Sequence, residues 1–209
     1  MIFDLDGTLV DSYQALTNAV NFVREARGLP VLPSEIIRAS VGEGVEKLLA
    51  RVMETDALAP EVQHQFEARY DEICCEQSSM LGEVTQVLDE LHAAGIRMAV
   101  CTNKPTSFSE KILESLGAAK YFDSIAGPDR AGARKPDPRH LTYVLETTGC
   151  DKDAALFVGD MPIDITTARN CGVDVAVIAT GSSPAEELRA AAPDYFLERF
   201  SDLRALVLR

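Results

Sequence analysis

From residue 80 onward, short apolar stretches alternate with amphipathic ones, and that rhythm restricts the chain to a small set of architectures. Val84, Val87, Leu88 and Leu91 share one helical face that Gly95 closes, and residues 96–101 follow as an apolar strand. A helix at 107–116, a short strand at 122–126, a polar loop at 129–138 and a helix to about 148 continue the series. Residues 154–158 read as strand again, 163–171 as helix and 173–178 as strand, with a last short strand and helix after Asp194. The pattern predicts an α/β fold whose parallel sheet is covered on both faces.

The first 79 residues break the rhythm. Met1-Ile2-Phe3 reads as one buried strand that stops at Asp4-Leu5-Asp6-Gly7-Thr8. Asp11 and Ser12 then offer caps for a helix over 13–27, and Pro30 and Pro33 break the chain before a second helix at 34–40. Beyond Val41-Gly42-Glu43-Gly44, a third helix carries Val45, Leu48, Leu49 and Val52 on one stripe, and a fourth runs through Val62, Phe66, Tyr70 and Ile73. Between 12 and 79 no strand pattern occurs. The expected organisation is therefore a core of residues 1–11 and 80–209 with an all-helical insertion, 12–79, directly after the first strand. Such an insertion overhangs the carboxyl edge of the sheet, as a lid does.

That edge is where open α/β sheets bind ligands, and the polar residues at the predicted strand ends are of one chemical kind. Residues two apart on a strand face the same side, so Asp4 and Asp6 are expected to converge as Gly7 turns the backbone away. Paired carboxylates repel unless one is protonated or a cation lies between them. Two readings follow: a divalent oxygen-ligand site with one carboxylate as nucleophile and the other as acid/base, or an Asp-Gly turn with a solvated aspartate. Thr102 and Asn103 follow a buried strand and offer donors to a phosphate oxygen, or else form a strand-end turn. Lys135 sits in Arg134-Lys135-Pro136-Asp137-Pro138, where two prolines stiffen the loop around its ammonium. Asp160 ends another strand as a candidate metal ligand, and Asp164 is either its companion or an N-terminal helix cap.

Composition narrows the chemistry further. A net charge of −13 over 209 residues works against nucleic acid, whose binding requires Lys and Arg to neutralise phosphates. A protein this acidic that handles phosphate needs local positive charge from a metal and a few placed bases. The five cysteines show neither a C-x-x-C nor a nearby His spacing, so zinc and a disulfide scaffold are not expected, and His64, His92 and His140 read as surface or packing residues. Without a transmembrane run or an apolar signal core, no membrane partner is expected and the chain reads as soluble and cytoplasmic.

Taken in order, DLDGTLVDS at 4–12, VGEGVEKLL at 41–49, VCTNKP at 100–105, KPDP at 135–138 and FVGDMPID at 157–164 make the chain resemble the haloacid dehalogenase superfamily of phosphohydrolases. Within it, the chain is similar to the phosphoglycolate-phosphatase-like branch with a helical cap. The resemblance implies a Rossmann-like core with an inserted helical cap, Asp4 as nucleophile and Asp6 as general acid/base. It implies that Thr102 and Lys135 hold the phosphoryl oxygens, beside the donor offered by Asn103, and that Mg²⁺ is bound by Asp4, the Asp6 main-chain carbonyl and Asp160, supported by Asp164. Family dehalogenases and phosphonatases lack the second aspartate, whose proton an alkoxide leaving group needs and a halide does not.

Three positions depart from the pattern: a first strand of only three residues, Met161-Pro162 where a small hydroxyl residue is common, and Leu81-Gly82 in place of Pro-Gly. The expected activity is Mg²⁺-dependent hydrolysis of a small phosphorylated metabolite, phosphoglycolate first among them. The alternatives are a sugar phosphomutase, with Lys47 and Arg51 gripping a second phosphate, and a non-catalytic phospho-acceptor switch.

Overall fold

The computed structural model describes residues 1–55 and 57–208. Strand β1 (Ile2–Phe3) leads into a tight turn and β2 (Val10–Asp11). Four helices follow, α1 (Tyr13–Glu25), α2 (Ser34–Arg38), α3 (Val45–Val52) and α4 (Pro60–Ile73), before the chain returns through β3 (Ser79–Met80). The alternating part comprises α5 (Val84–Ala93), β4 (Ala99–Cys101), α6 (Thr106–Ser115), β5 (Ser124–Ala126), α7 (Pro128–Ala131) and α8 (Pro138–Thr148). It continues through β6 (Leu156–Gly159), α9 (Pro162–Cys171), β7 (Asp174–Ile178), α10 (Ala185–Ala190), β8 (Tyr195–Leu197) and α11 (Leu203–Val207).

Six strands form one sheet in the order β5-β4-β1-β6-β7-β8, and every pairing is parallel. Strand β1 lies at its centre, where the chain continues to β4 on one side and later reaches β6 on the other; such reversals open a crevice at the carboxyl ends. The two residues of β1 face opposite ways. Phe3 joins a core with Val100, Val158 and Ile178, while Ile2 joins another with Ala99, Phe157 and Val177. Each buried side chain contributes about 1.5–3 kcal/mol, and Phe3 also stacks on Phe200 with centroids 6.0 Å apart. Main-chain bonds from Ala99 to Met1 (2.9 Å) and from Asp4 to Val158 (2.8 Å) extend the ladder beyond the strand proper, so the short first strand is securely held.

Antiparallel pairing of β2 with β3 ties the entry of the helical segment to its exit, in register Val10 to Met80. Two residues per strand are too few for a period-2 signal, and the sequence does not reveal this pair. Helices α7 and α10 are likewise missing from the sequence reading, which placed a loop at 129–138; four to six residues cannot show a helical period. Leu48, Leu49, Phe66 and Tyr70 of the helical segment belong to the same continuous core as Phe3 and Leu88, so the segment is packed down onto the sheet.

His140, in the first turn of α8, is fully buried with its Nε2 3.1 Å from the Ala126 carbonyl and no partner at Nδ1. Burial, with help from the nearby Lys135 charge, pushes its pKa down from 6.5 to about 4. Unfolded chains take up this proton as pH falls through 6.5, folded ones only near 4. The neutral imidazole thus contributes stability present above pH 6.5 and lost as pH falls toward 4, at most about 3 kcal/mol. Thermal melts between pH 7 and 4.5 should show a shallower pH dependence for His140→Gln than for the parent protein. Equal slopes would remove His140 from the account.

Candidate active site

Three carboxylates reach one spot because neighbouring central strands end there. Asp4 follows β1, Asp160 follows β6, and Asp164 lies in the first turn of α9; one oxygen from each sits within 4.8 Å of the others. Lys135 Nζ is 2.9 Å from Asp4 Oδ2 and 2.7 Å from Asp164 Oδ1, with its side chain fully enclosed. The Leu5 N–H donates to Asp4 Oδ1 at 2.7 Å. Asp160 accepts from the Thr8 hydroxyl (2.9 Å) and the Ser182 N–H (3.0 Å). Asp164 Oδ2 accepts from the N–H groups of Asp160 (3.1 Å) and Met161 (3.0 Å), so it caps the helix and pairs the lysine at once. Gly7 makes this packing possible: its φ is +83°, and a Cβ there would lie 2.6 Å from Asp160 Oδ2.

The Lys135 ammonium pairs with two of the three buried carboxylates, Asp4 and Asp164. Burial, then the Asp4 and Asp164 charges, push the Asp160 pKa well above the usual carboxylate range. Burial pushes Asp164 up to about 6 against the pull of Lys135. Burial also works against the charge of Lys135, but Asp164 and Asp4 outweigh it and raise its pKa. All-oxygen donors with surplus negative charge suit a hard divalent cation, which would relieve the repulsion.

Asp6 does not join this cluster, contrary to the convergence expected from strand alternation. The chain bends at Leu5, so the period of two ends before Asp6. Its carboxylate instead accepts from Lys104 Nζ at 2.6 and 2.9 Å and from the Ser12 hydroxyl. Ser12 therefore stands at the N-cap of α1 without a side-chain capping bond, and Asp11 Oδ1 accepts from the Tyr13 N–H at 3.1 Å in the turn before it. Burial opposes the Lys104 charge, yet Asp6 and Tyr70 raise its pKa, and the ammonium lies 4.9 Å above the Tyr70 ring. Sequence reasoning gave Lys104 no role, although a lysine directly after a buried strand in VCTNKP was the available signal.

Thr102 Oγ1 accepts from the Lys104 N–H at 3.3 Å, which leaves its own proton to donate. Asn103 departs from expectation. Its Nδ2 donates to the carbonyls of Gly42 (3.0 Å) and Lys135 (3.2 Å), and its Oδ1 accepts from the Lys135 N–H (2.9 Å). With both amide hydrogens engaged, the side chain clamps the Lys135 loop to the helical segment and has no donor left for a phosphate oxygen.

Above Asp4 and Asp6 a cleft with about 60 Å³ of free space is walled by Leu16, Val41, Leu48, Phe66, Tyr70 and Phe108, with Thr102 and Lys104 at its floor. A cleft of that volume fits a small ligand. Gly42 and Gly44 line it, and Met161 packs against Gly42 where a Cβ would come within 2.0 Å of its sulfur. Lys47 and Arg51 lie outside, both paired with Glu43 and about half exposed.

The family model for haloacid dehalogenase-like hydrolases matches residues 1–178. The chain belongs to this family. It is an enzyme, a phosphoric monoester hydrolase of the phosphoglycolate-phosphatase-like branch. A phosphoglycolate phosphatase of Caulobacter vibrioides is 34% identical to this hydrolase over 209 residues, covering 96% of this chain and 87% of the relative. One from Rhodospirillum rubrum is 37% identical over 193 residues, covering 88% and 80%. Among solved structures, a predicted phosphoglycolate phosphatase of Haemophilus somnus 129PT superposes on this hydrolase with a TM-score of 0.91 at 29% identity, over 98% of this chain and 96% of that one.

Proposed function

We propose that this hydrolase is a Mg²⁺-dependent phosphatase of small phosphomonoesters, phosphoglycolate foremost, acting through an aspartyl-phosphate on Asp4. The observation that carries the reading is the meeting of Asp4, Asp160, Asp164 and Lys135 beneath a small, largely apolar cleft. Relatives named phosphoglycolate phosphatase support the substrate. In this reading residues 12–79 are a cap on a core of 1–11 and 80–209, and the protein works in the cytoplasm; no described helix is long and apolar enough to cross a membrane.

Asp4, the Asp6 main-chain carbonyl and Asp160 would hold Mg²⁺, with Asp164 in support. When bound, the ion neutralises negative charge so that a carboxylate can approach an anionic phosphoryl group. Thr102 and Lys135 hold the phosphoryl oxygens, and Asn103 contributes by fixing the Lys135 backbone. An Asp4 oxygen attacks phosphorus, the bond to the alcohol oxygen breaks, and Asp6 supplies that oxygen with a proton. Asp6 then takes a proton from water as the water attacks phosphorus, breaking the bond to Asp4 and freeing phosphate. Ser12 and Lys104 hold the Asp6 side chain beside the cleft, and the proton it takes from water is the one it gives in the next turnover.

A phosphomutase needs a free cation for a second phosphate; Lys47 and Arg51 are bound to Glu43 outside the cleft, and Lys104 at its floor is paired with Asp6. Membership of a hydrolase family likewise leaves the phospho-acceptor switch without support. A phosphate-release screen with Mg²⁺ over two- and three-carbon phosphates, sugar phosphates, nucleotides and pyrophosphate tests the proposal. Release should be fastest from the two- and three-carbon esters, without isomerised product. A panel that yields no phosphate refutes it.

A further inference from the structure

One cation of the helical segment reaches the acidic cluster indirectly. Arg38, the last residue of α2, donates from Nη2 to the carbonyls of Thr180 (2.6 Å) and Gly181 (2.8 Å) and from Nε to Gly181 (3.0 Å). Its guanidinium also lies 4.4 Å over the Tyr13 ring, whose hydroxyl is 3.0 Å from Ser182 Oγ. The segment 180–182 that these groups grip is pressed against Asp160. The Ser182 N–H donates to Asp160 Oδ2 at 3.0 Å, and a Cβ on Gly181 would fall 1.6 Å from that same oxygen. On its other side, Thr180 Oγ1 donates to the Gly7 carbonyl at 2.7 Å. Between Asp160 and Arg38 there is thus one short stretch of backbone with no slack.

We infer that Arg38 is a positioning residue for Asp160: by pinning carbonyls 180 and 181 it orients the Asp160 carboxylate, and so links the seating of the helical segment to cation affinity. The guanidinium suits this task because its rigid planar fork bonds two carbonyls in fixed geometry while lying flat on Tyr13, a fork that an ammonium lacks. Groups that orient a ligand from behind commonly change metal affinity 10- to 100-fold when removed. Coupling of this kind is reciprocal, so an ion bound at Asp160 favours the seated segment by the same factor. The inference rests on Asp160 being a metal ligand.

The test is Mn²⁺ binding to the resting protein without substrate, followed by calorimetry. Arg38→Ala should weaken binding about tenfold, and Arg38→Lys, which keeps the charge and the fold, should recover part of the loss. Lys111→Ala is the comparison: Lys111 joins α6 to Asp71 of α4 at 2.6 Å, another contact holding the segment down, but through bonds to Asp71 and not to 180–182. It should bind Mn²⁺ as the parent does. Unchanged affinity in Arg38→Ala, or equal weakening in Arg38→Ala and Lys111→Ala, overturns the inference while leaving the metal site standing. A parent protein that binds no Mn²⁺ overturns both.

Discussion

Asp4→Asn should leave the melting temperature within a few degrees of the parent and lower phosphate release by about 10⁴-fold or more, the scale on which enzymes lose activity when a covalent nucleophile is removed. An amide is nearly isosteric with the carboxylate and can still accept from the Leu5 N–H, now at 2.7 Å. It also removes one of the three crowded charges around Lys135, so the fold loses an ion pair and a repulsion together. What it cannot do is attack phosphorus. Steady-state phosphate release, read beside a thermal melt, separates the two effects. Substantial activity in a folded Asp4→Asn protein would rule out an aspartyl-phosphate at this position.

Lys135→Met is expected to act on stability first. The ammonium is the sole cation in contact with Asp4 and Asp164 among the described residues, and its side chain is completely enclosed. Removing one partner from a buried ion pair costs about 3–5 kcal/mol, or on the order of 10 °C in a chain of this size. The pH dependence has a definite sign. Carboxylates whose folded pKa is raised, as Asp160 and Asp164 already are, contribute stability below their unfolded pKa and lose it as pH rises through the folded value, about 6 for Asp164. The variant should therefore be hurt more at pH 8 than at pH 5, and added Mg²⁺ should restore more of its melting temperature than it adds to the parent. A loss that is the same at both pH values, or that Mg²⁺ leaves untouched, would mean that Lys135 acts only as packing.

Much of the site is legible in the sequence. Parallel strands buried on both faces must be apolar for their whole length, so Val100, Cys101, Phe157 and Val158 stand out, and the first polar residue after each run marks the carboxyl edge. Thr102 and Asp160 fell into place by that logic, and Asp4 by the same one. Lys135 was legible through its prolines. Legibility stopped where the chain leaves regular structure. Asp6 lies one residue past the bend at Leu5, so alternation no longer says where its carboxylate points, and the partners that claim it, Ser12 and Lys104, come from different parts of the sequence. Asn103 looked like a phosphate donor because its acceptors, the carbonyls of Gly42 and Lys135, carry no mark in a one-letter sequence. Backbone acceptors are present at every residue and therefore invisible as a pattern.

Periodicity and punctuation alone thus determined the layered architecture, the helical interruption after the first strand, and the set of side chains offered at the sheet edge, because each of these depends on neighbours a few residues apart. Which offered groups meet, which are turned away, and how tightly the helical segment is tied to Asp160 through Arg38 and 180–182 depend on approaches between separate elements, from Ser182 to Asp160 and across the far longer interval from Arg38 to Thr180. Only the folded chain could decide those, since hydrogen bonds and ion pairs form at distances near 3 Å that no spacing along the sequence encodes.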